Sequence, residues 1–217
     1  MAANRIHKRA VTAIYGATGY LMASAFSHAF VALALGKTSR HPSMTWRVLF
    51  LGMACSIVPD LDVVGFSFGI RYGDLWGHRG LTHSIFFACL LSAVLVRLWY
   101  WRVTTSAKVT LSVYFFCCTA SHGVLDAMTD GGLGVAFFSP FDTSRYFFTY
   151  RPVAVSPIGI GDFFTGEAFR ILASEATWIW LPTIVIFLIL RGFQQMWLWR
   201  PTHNSHRPPR PGESAKA

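Results

Sequence analysis

The strongest constraint on the fold is where the ionisable residues are missing. Long apolar runs cover residues 11–35, 84–101, 109–128 and 176–190, and Asp and His gather in short clusters at their edges. About 20 apolar residues in a helix cross a hydrocarbon core of roughly 30 Å. An ionisable group placed there costs roughly 2.5–3.5 kcal/mol on insertion scales, so a cluster of them implies a use. Composition agrees: 53% of the 217 residues are hydrophobic and only 13% are charged, against about 25% charged in a soluble domain.

The expected architecture is all-α. It is a multi-pass transmembrane bundle of about four to five membrane helices, with a long irregular loop before the last one. Residues 1–10 read as a basic N-terminal arm, 11–200 as one integral-membrane domain, and 201–217 as a disordered tail rich in Pro, His and Arg. Residues 48–58 are too short to span alone, and Pro59 blocks continued α-helix. Residues 60–80 read as a polar loop. Gly131, Gly132, Gly134, Pro140, Pro152 and Pro157 break up residues 129–175. The N-terminus reads as an uncleaved membrane segment rather than a secretory signal.

The net charge of +9 admits nucleic-acid binding. The basic residues lie between apolar runs and in the tail, which the positive-inside rule and anionic headgroups explain better. No nucleic-acid partner is expected; the partner is membrane lipid. Loop 97–108 carries three Lys/Arg and the stretch from Arg191 carries five, so both are expected in the cytoplasm. The His/Asp clusters then face the non-cytoplasmic side. Cys55, Cys89, Cys117 and Cys118 lie in apolar stretches with no C-x-x-C spacing, and read as buried hydrophobes.

Three runs carry the chemistry. In Pro59-Asp60-Leu61-Asp62, the two carboxylates point the same way if the segment is extended. They then repel unless a cation lies between them; the alternative is a solvated turn. In Gly77-His78-Arg79-Gly80-Leu81-Thr82-His83-Ser84, Thr82 or Ser84 caps the next helix and the glycines allow a tight turn around two imidazoles. Arg79 offers a fork suited to phosphate or carboxylate. In Ser121-His122-Gly123-Val124-Leu125-Asp126, His122 and Asp126 share one helical face one turn apart. They suit a shared metal or a simple hydrogen-bonded pair. His28 interrupts the first apolar run. His28, Asp60, Asp62, His78, His83, His122 and Asp126 are the candidate ligands, enough for one closed site or an open two-metal site. Nitrogen and oxygen donors of this kind suit zinc, manganese or iron.

No H-E-x-x-H is present, which excludes a zincin-type protease. The boxes of membrane desaturases and the Pro-Ser-Gly-His motif of lipid phosphatases are also missing. In their order, Pro59-Asp60-Leu61-Asp62, Gly77 to Ser84 and Ser121 to Thr129 resemble the bacterial family of membrane-bound metal-dependent hydrolases. That family shows P-D-[IL]-D, G-H-R-G-x-T-H-S and S-H-x-x-x-D-x-x-T, and an early histidine that His28 matches. The resemblance covers residues 20 to 140. Val63 stands where many members carry another His, and Asp130-Gly131-Gly132 replaces a Pro-containing turn. The family is compared with zinc-dependent phospholipase C.

The resemblance implies an enzyme of the bacterial inner membrane that hydrolyses a phosphoester, of a lipid or lipid-linked substrate, with a metal-activated water. Asp60 and Asp126 would be catalytic as well as ligating, zinc the expected cofactor, and Arg79 the substrate-binding residue. The alternative is a non-catalytic, metal-stabilised scaffold or metal-handling protein.

Overall fold

The computed structural model describes residues 21–22, 24–157 and 168–198. The expected arm 1–10, the tail 201–217 and the start of the first apolar run lie outside the described residues. The chain folds as α1 (Ala25–Thr38), α2 (Trp46–Cys55), a 3₁₀ segment (Val58–Phe68), a 3₁₀ turn (Leu81–His83), α3 (Ile85–Trp99), α4 (Thr105–Ala127), α5 (Ala168–Glu175), a π turn (Ala176–Trp180) and α6 (Leu181–Leu198). Extended structure among the described residues is slight. Leu21–Met22 pairs antiparallel with Ser156–Pro157, and two isolated bridges occur, Thr129 with Val153 and Val135 with Tyr146.

Local chemistry sets these boundaries. Thr45, Ser84 and Thr104 cap α2, α3 and α4, each accepting from a backbone N–H three residues on. Pro59 ends α-helical hydrogen bonding after α2, as expected, but the chain does not open into a loop. It tightens into a 3₁₀ segment that runs to Phe68 and stops at Gly69, whose φ is 81°. The expected polar loop therefore shrinks to 69–80. The loop 129–175 is likewise shorter than expected, because α5 occupies its last eight residues.

The core lies where α1, α2, α3 and α4 meet, around Ala32, Val48, Leu49, Leu111, Phe115 and Cys118. Tyr114 of α4 reaches across it and donates to the carbonyls of Ala32 (3.2 Å) and Leu49 (3.4 Å). Gly52 makes this possible, since a Cβ there would land on the Tyr114 ring. α6 packs alongside α1. Trp180 Nε1 donates to Ser27 Oγ at one end (2.8 Å), and Gln194 Nε2 to the Thr38 carbonyl at the other (3.0 Å). The two helices therefore run parallel.

Two helical stretches among the described residues are long and apolar enough to cross a membrane, Trp46–Phe68 and Ala168–Trp197; Ile85–Trp99 is a shorter apolar helix. α4 is about 35 Å long and α1 about 21 Å. The outer face of α6 leaves Leu188, Phe193 and Trp197 exposed, as lipid contact requires.

Candidate metal centre

Four segments bring their polar side chains to one end of the bundle. Asp60 comes from the 3₁₀ segment, His83 from the 3₁₀ turn, His122 and Asp126 from α4, and His28 from α1. Gly123 lets the His83 turn sit directly on α4, because a Cβ there would lie 2.8 Å from the His83 carbonyl oxygen. Arg145 staples the approach loop from outside, donating to the carbonyls of His78 and Tyr72 (both 2.9 Å).

One ligand atom from each of Asp60, His83, His122 and Asp126 lies within 4.8 Å of all the others. His122 Nε2 is 3.0 Å from His83 Nε2 and 3.1 Å from Asp60 Oδ1. His83 Nε2 is 3.4 Å from Asp126 Oδ2. The far sides of the two rings decide what these atoms are. His122 Nδ1 lies 2.7 Å from the Ser56 carbonyl, which only accepts, so Nδ1 carries the proton. His83 Nδ1 lies 3.2 Å from Asp62 Oδ2, and a carboxylate holds a proton there too. Both Nε2 atoms and two carboxylate oxygens thus face the same point. Donors converging in this way in a buried space could hold a metal ion. Asp60, Asp62 and Asp126 gather here, with Arg79 paired to Asp126.

His28 is fully buried and stacks on His122, with ring centroids 3.8 Å apart. Its Nε2 lies 3.7 Å from Asp126 Oδ1, and neither ring nitrogen has a hydrogen-bond partner. It is placed to be a further ligand. Asp60 Oδ2 is also buried without a partner.

Asp62 and His78 sit one layer out. Asp62 Oδ1 binds His78 Nδ1 at 2.7 Å, and Asp62 Oδ2 accepts from Thr82 Oγ1 and the Arg79 N–H. The extended geometry expected for Asp60 and Asp62 does not occur. A 3₁₀ segment turns about 120° per residue, so residues two apart point in different directions. Asp60 faces the four-donor cluster, and Asp62 faces the backs of His83 and His78. Asp62, His78 and His83 form a second group able to hold a cation. His83 offers that group only Nδ1.

Arg79 takes a position that a substrate-facing role does not need. It is fully buried, and its fork is engaged: Nε with Asp126 Oδ2 (3.0 Å), one Nη with Thr129 Oγ1 (2.9 Å), the other with the Gly131 carbonyl (2.8 Å). Its φ of 60° turns the side chain inward. A non-glycine residue held in that region costs on the order of 1–3 kcal/mol, and the ion pair with Asp126 holds it.

Asp74 lies outside the centre, paired with Arg71 on the surface. Its hydrogen bonds to Arg71 hold its carboxyl below the ordinary range. Burial pushes the Tyr72 phenol above its ordinary range, so it stays protonated beside His78.

Glu175 escaped the sequence reading. Fully buried, it accepts from the Ser24 N–H (2.6 Å) and from the hydroxyls of Ser24 and Ser27 (2.8 Å for Ser27), fixing the start of α1 one turn before His28. It also precedes the π turn. A lone acid entering an apolar run was the available signal. The Ser56 carbonyl and Arg145 gave none, because neither stands out by residue type.

This fold and cluster define a helical membrane protein with a possible metal-binding site at one end of its bundle. The chain belongs to the YdjM inner membrane protein family, whose sequence model matches residues 22–198. It is 31% identical over 172 residues to the inner membrane protein YbcI of Escherichia coli (strain K12), covering 78% of this chain and 97% of that one. No solved structure matches.

Proposed function

We propose that the protein is a multi-pass metal-dependent hydrolase that cleaves a phosphoester of a lipid or lipid-linked substrate near the non-cytoplasmic face of the inner membrane. The observation that carries the reading is the convergence of four lone-pair donors from three separate segments, with Asp60 Oδ2 left unpartnered beside them. A divalent ion bound there lowers the pKa of a coordinated water to about 7 and polarises a phosphoryl oxygen.

Asp60, His83, His122 and Asp126 would hold the ion, most simply zinc, with manganese or iron also matching the donors. His28 would complete the set. Asp60 would ligate through Oδ1 and accept a proton at Oδ2, giving it a catalytic part as well. Asp62 and the Ser56 carbonyl would orient the two imidazoles. Arg79 would fix Asp126 and offset its charge, in place of the substrate-binding part first expected of it. The orientation rests on the basic residues at the opposite end of the bundle.

A second reading, a metal-stabilised scaffold, is favoured by the burial of all four donors. Three measurements on the purified full chain separate the two: metal content, the visible spectrum of the cobalt-substituted protein, and turnover of phosphomonoester and phosphodiester lipids. Stoichiometric metal, a five-coordinate spectrum and turnover abolished by Asp60→Asn support the hydrolase. Stoichiometric metal in a closed tetrahedral site without turnover supports the scaffold. Absence of metal removes both.

A further inference from the structure

Away from the metal centre, α1 and α6 enclose an apolar groove of about 330 Å³, lined by Phe30, Leu33 and Ala34 on one side and Ile184, Phe187 and Leu188 on the other. Lys37 closes one end of it. Lys37 also lines the next cavity, of about 500 Å³, together with Arg40, His41 and Arg191. One residue thus joins an apolar channel to a cationic pocket.

Neither cavity contains an acid. No Asp or Glu occurs from residue 24 to 59, nor from 176 to 212. The partners of the cations are neutral: Arg40 Nε donates to Gln194 Oε1 (3.0 Å), and Lys37 Nζ lies 3.8 Å from the Trp46 ring. The Gln194 contact fixes Arg40 over α6, one turn beyond Arg191. Because α1 and α6 run parallel, the groove follows the helix direction. In a bilayer that is the direction of acyl chains. A polar headgroup at the helix ends and an apolar chain between the helices is the shape of a phospholipid, and cationic pockets between membrane helices recognise anionic headgroups.

We propose that this composite cavity binds one anionic phospholipid, with an acyl chain between α1 and α6 and the headgroup phosphate at Lys37, Arg40 and Arg191. The site shares no residue with the candidate metal centre, and its cationic pocket lies at the other end of the bundle.

The test uses the full chain in mild detergent, supplied with phosphatidylglycerol or phosphatidylcholine, with retained lipid counted by native mass spectrometry. The parent should keep one phosphatidylglycerol and at least tenfold less phosphatidylcholine. The triple variant Lys37→Gln, Arg40→Gln, Arg191→Gln should lose that retention by tenfold or more. A charge-matched control on the same end, Arg97→Gln, Arg102→Gln, Lys108→Gln, should keep it. Ala34→Phe, which fills the groove and leaves the cations, should also lose it; Leu188→Trp, on a more exposed wall, replaces it if helicity falls. Equal loss in both triple variants overturns the proposal, as does equal retention of the two lipids. Undiminished binding with the groove filled overturns it too.

Discussion

The two ends of the bundle handle charge in opposite ways. At one end, Asp60, Asp126 and Glu175 are buried among imidazoles, a guanidinium and hydroxyls. At the other, Lys37, Arg40, Arg47, Arg97 and Arg102 are exposed, and no acid faces them among the described residues. The buried end is assembled from distant segments, so each of its charges depends on the others. Apart from the lipid pocket proposed at Lys37, Arg40 and Arg191, the exposed end acts as a sum, through the field it presents to lipid. A single change should therefore be severe at one end and nearly silent at the other.

The largest effect is expected from Asp126→Ala. It strips a proposed ligand and leaves Arg79 buried without its counter-ion, a loss on the order of 3–5 kcal/mol. Denaturant unfolding with metal analysis should show both stability and metal content falling. Asp74→Ala, a carboxylate removed at the surface of the same end, should leave metal content unchanged; equal metal loss from both would break the contrast. Arg79→Lys comes next. It keeps the charge but loses the fork that also grips Thr129 and Gly131, about 1–3 kcal/mol. Metal content should fall with stability, and a variant with normal metal and impaired turnover would return Arg79 to the substrate. Glu175→Gln keeps an acceptor for Ser24 but loses charge-assisted bonding, about 1–2 kcal/mol, and should loosen metal affinity through His28. Smallest of all, Arg102→Gln should shift stability by less than about 0.5 kcal/mol. A large effect there would mean that Arg102 itself holds a specific partner, outside the proposed lipid pocket.

The site was legible where chemistry and spacing coincide. His122 and Asp126 are one helical turn apart, and no neighbour can change that geometry. Asp60 and His83 stood out as ionisable residues beside apolar runs. Asp62 was misdirected by one assumption, that a residue after proline lies in extended chain; the 3₁₀ segment rotates it to the back of the imidazoles. The burial of Arg79 against Asp126 was not legible, because residue type does not reveal a positive φ. The apolar runs gave α3 and α4 almost in place, while α6 begins and ends later than the run at 176–190. The 3₁₀ segment and the π turn depend on packing between helices, which local pattern does not carry.

The carboxylate of Glu175 sets a schedule. The ribosome makes Ser24, Ser27 and His28 early and Glu175 near the end of the chain. Until α5 and the π turn are made, Ser24 and Ser27 lack the Glu175 carboxylate, and Trp180 is not yet there to grip Ser27. The turn that leads into His28 is thus completed only by a residue made well after His122, on which His28 stacks. A chain halted short of Glu175 holds all the residues of the centre and lacks the latch that seats the earliest of them.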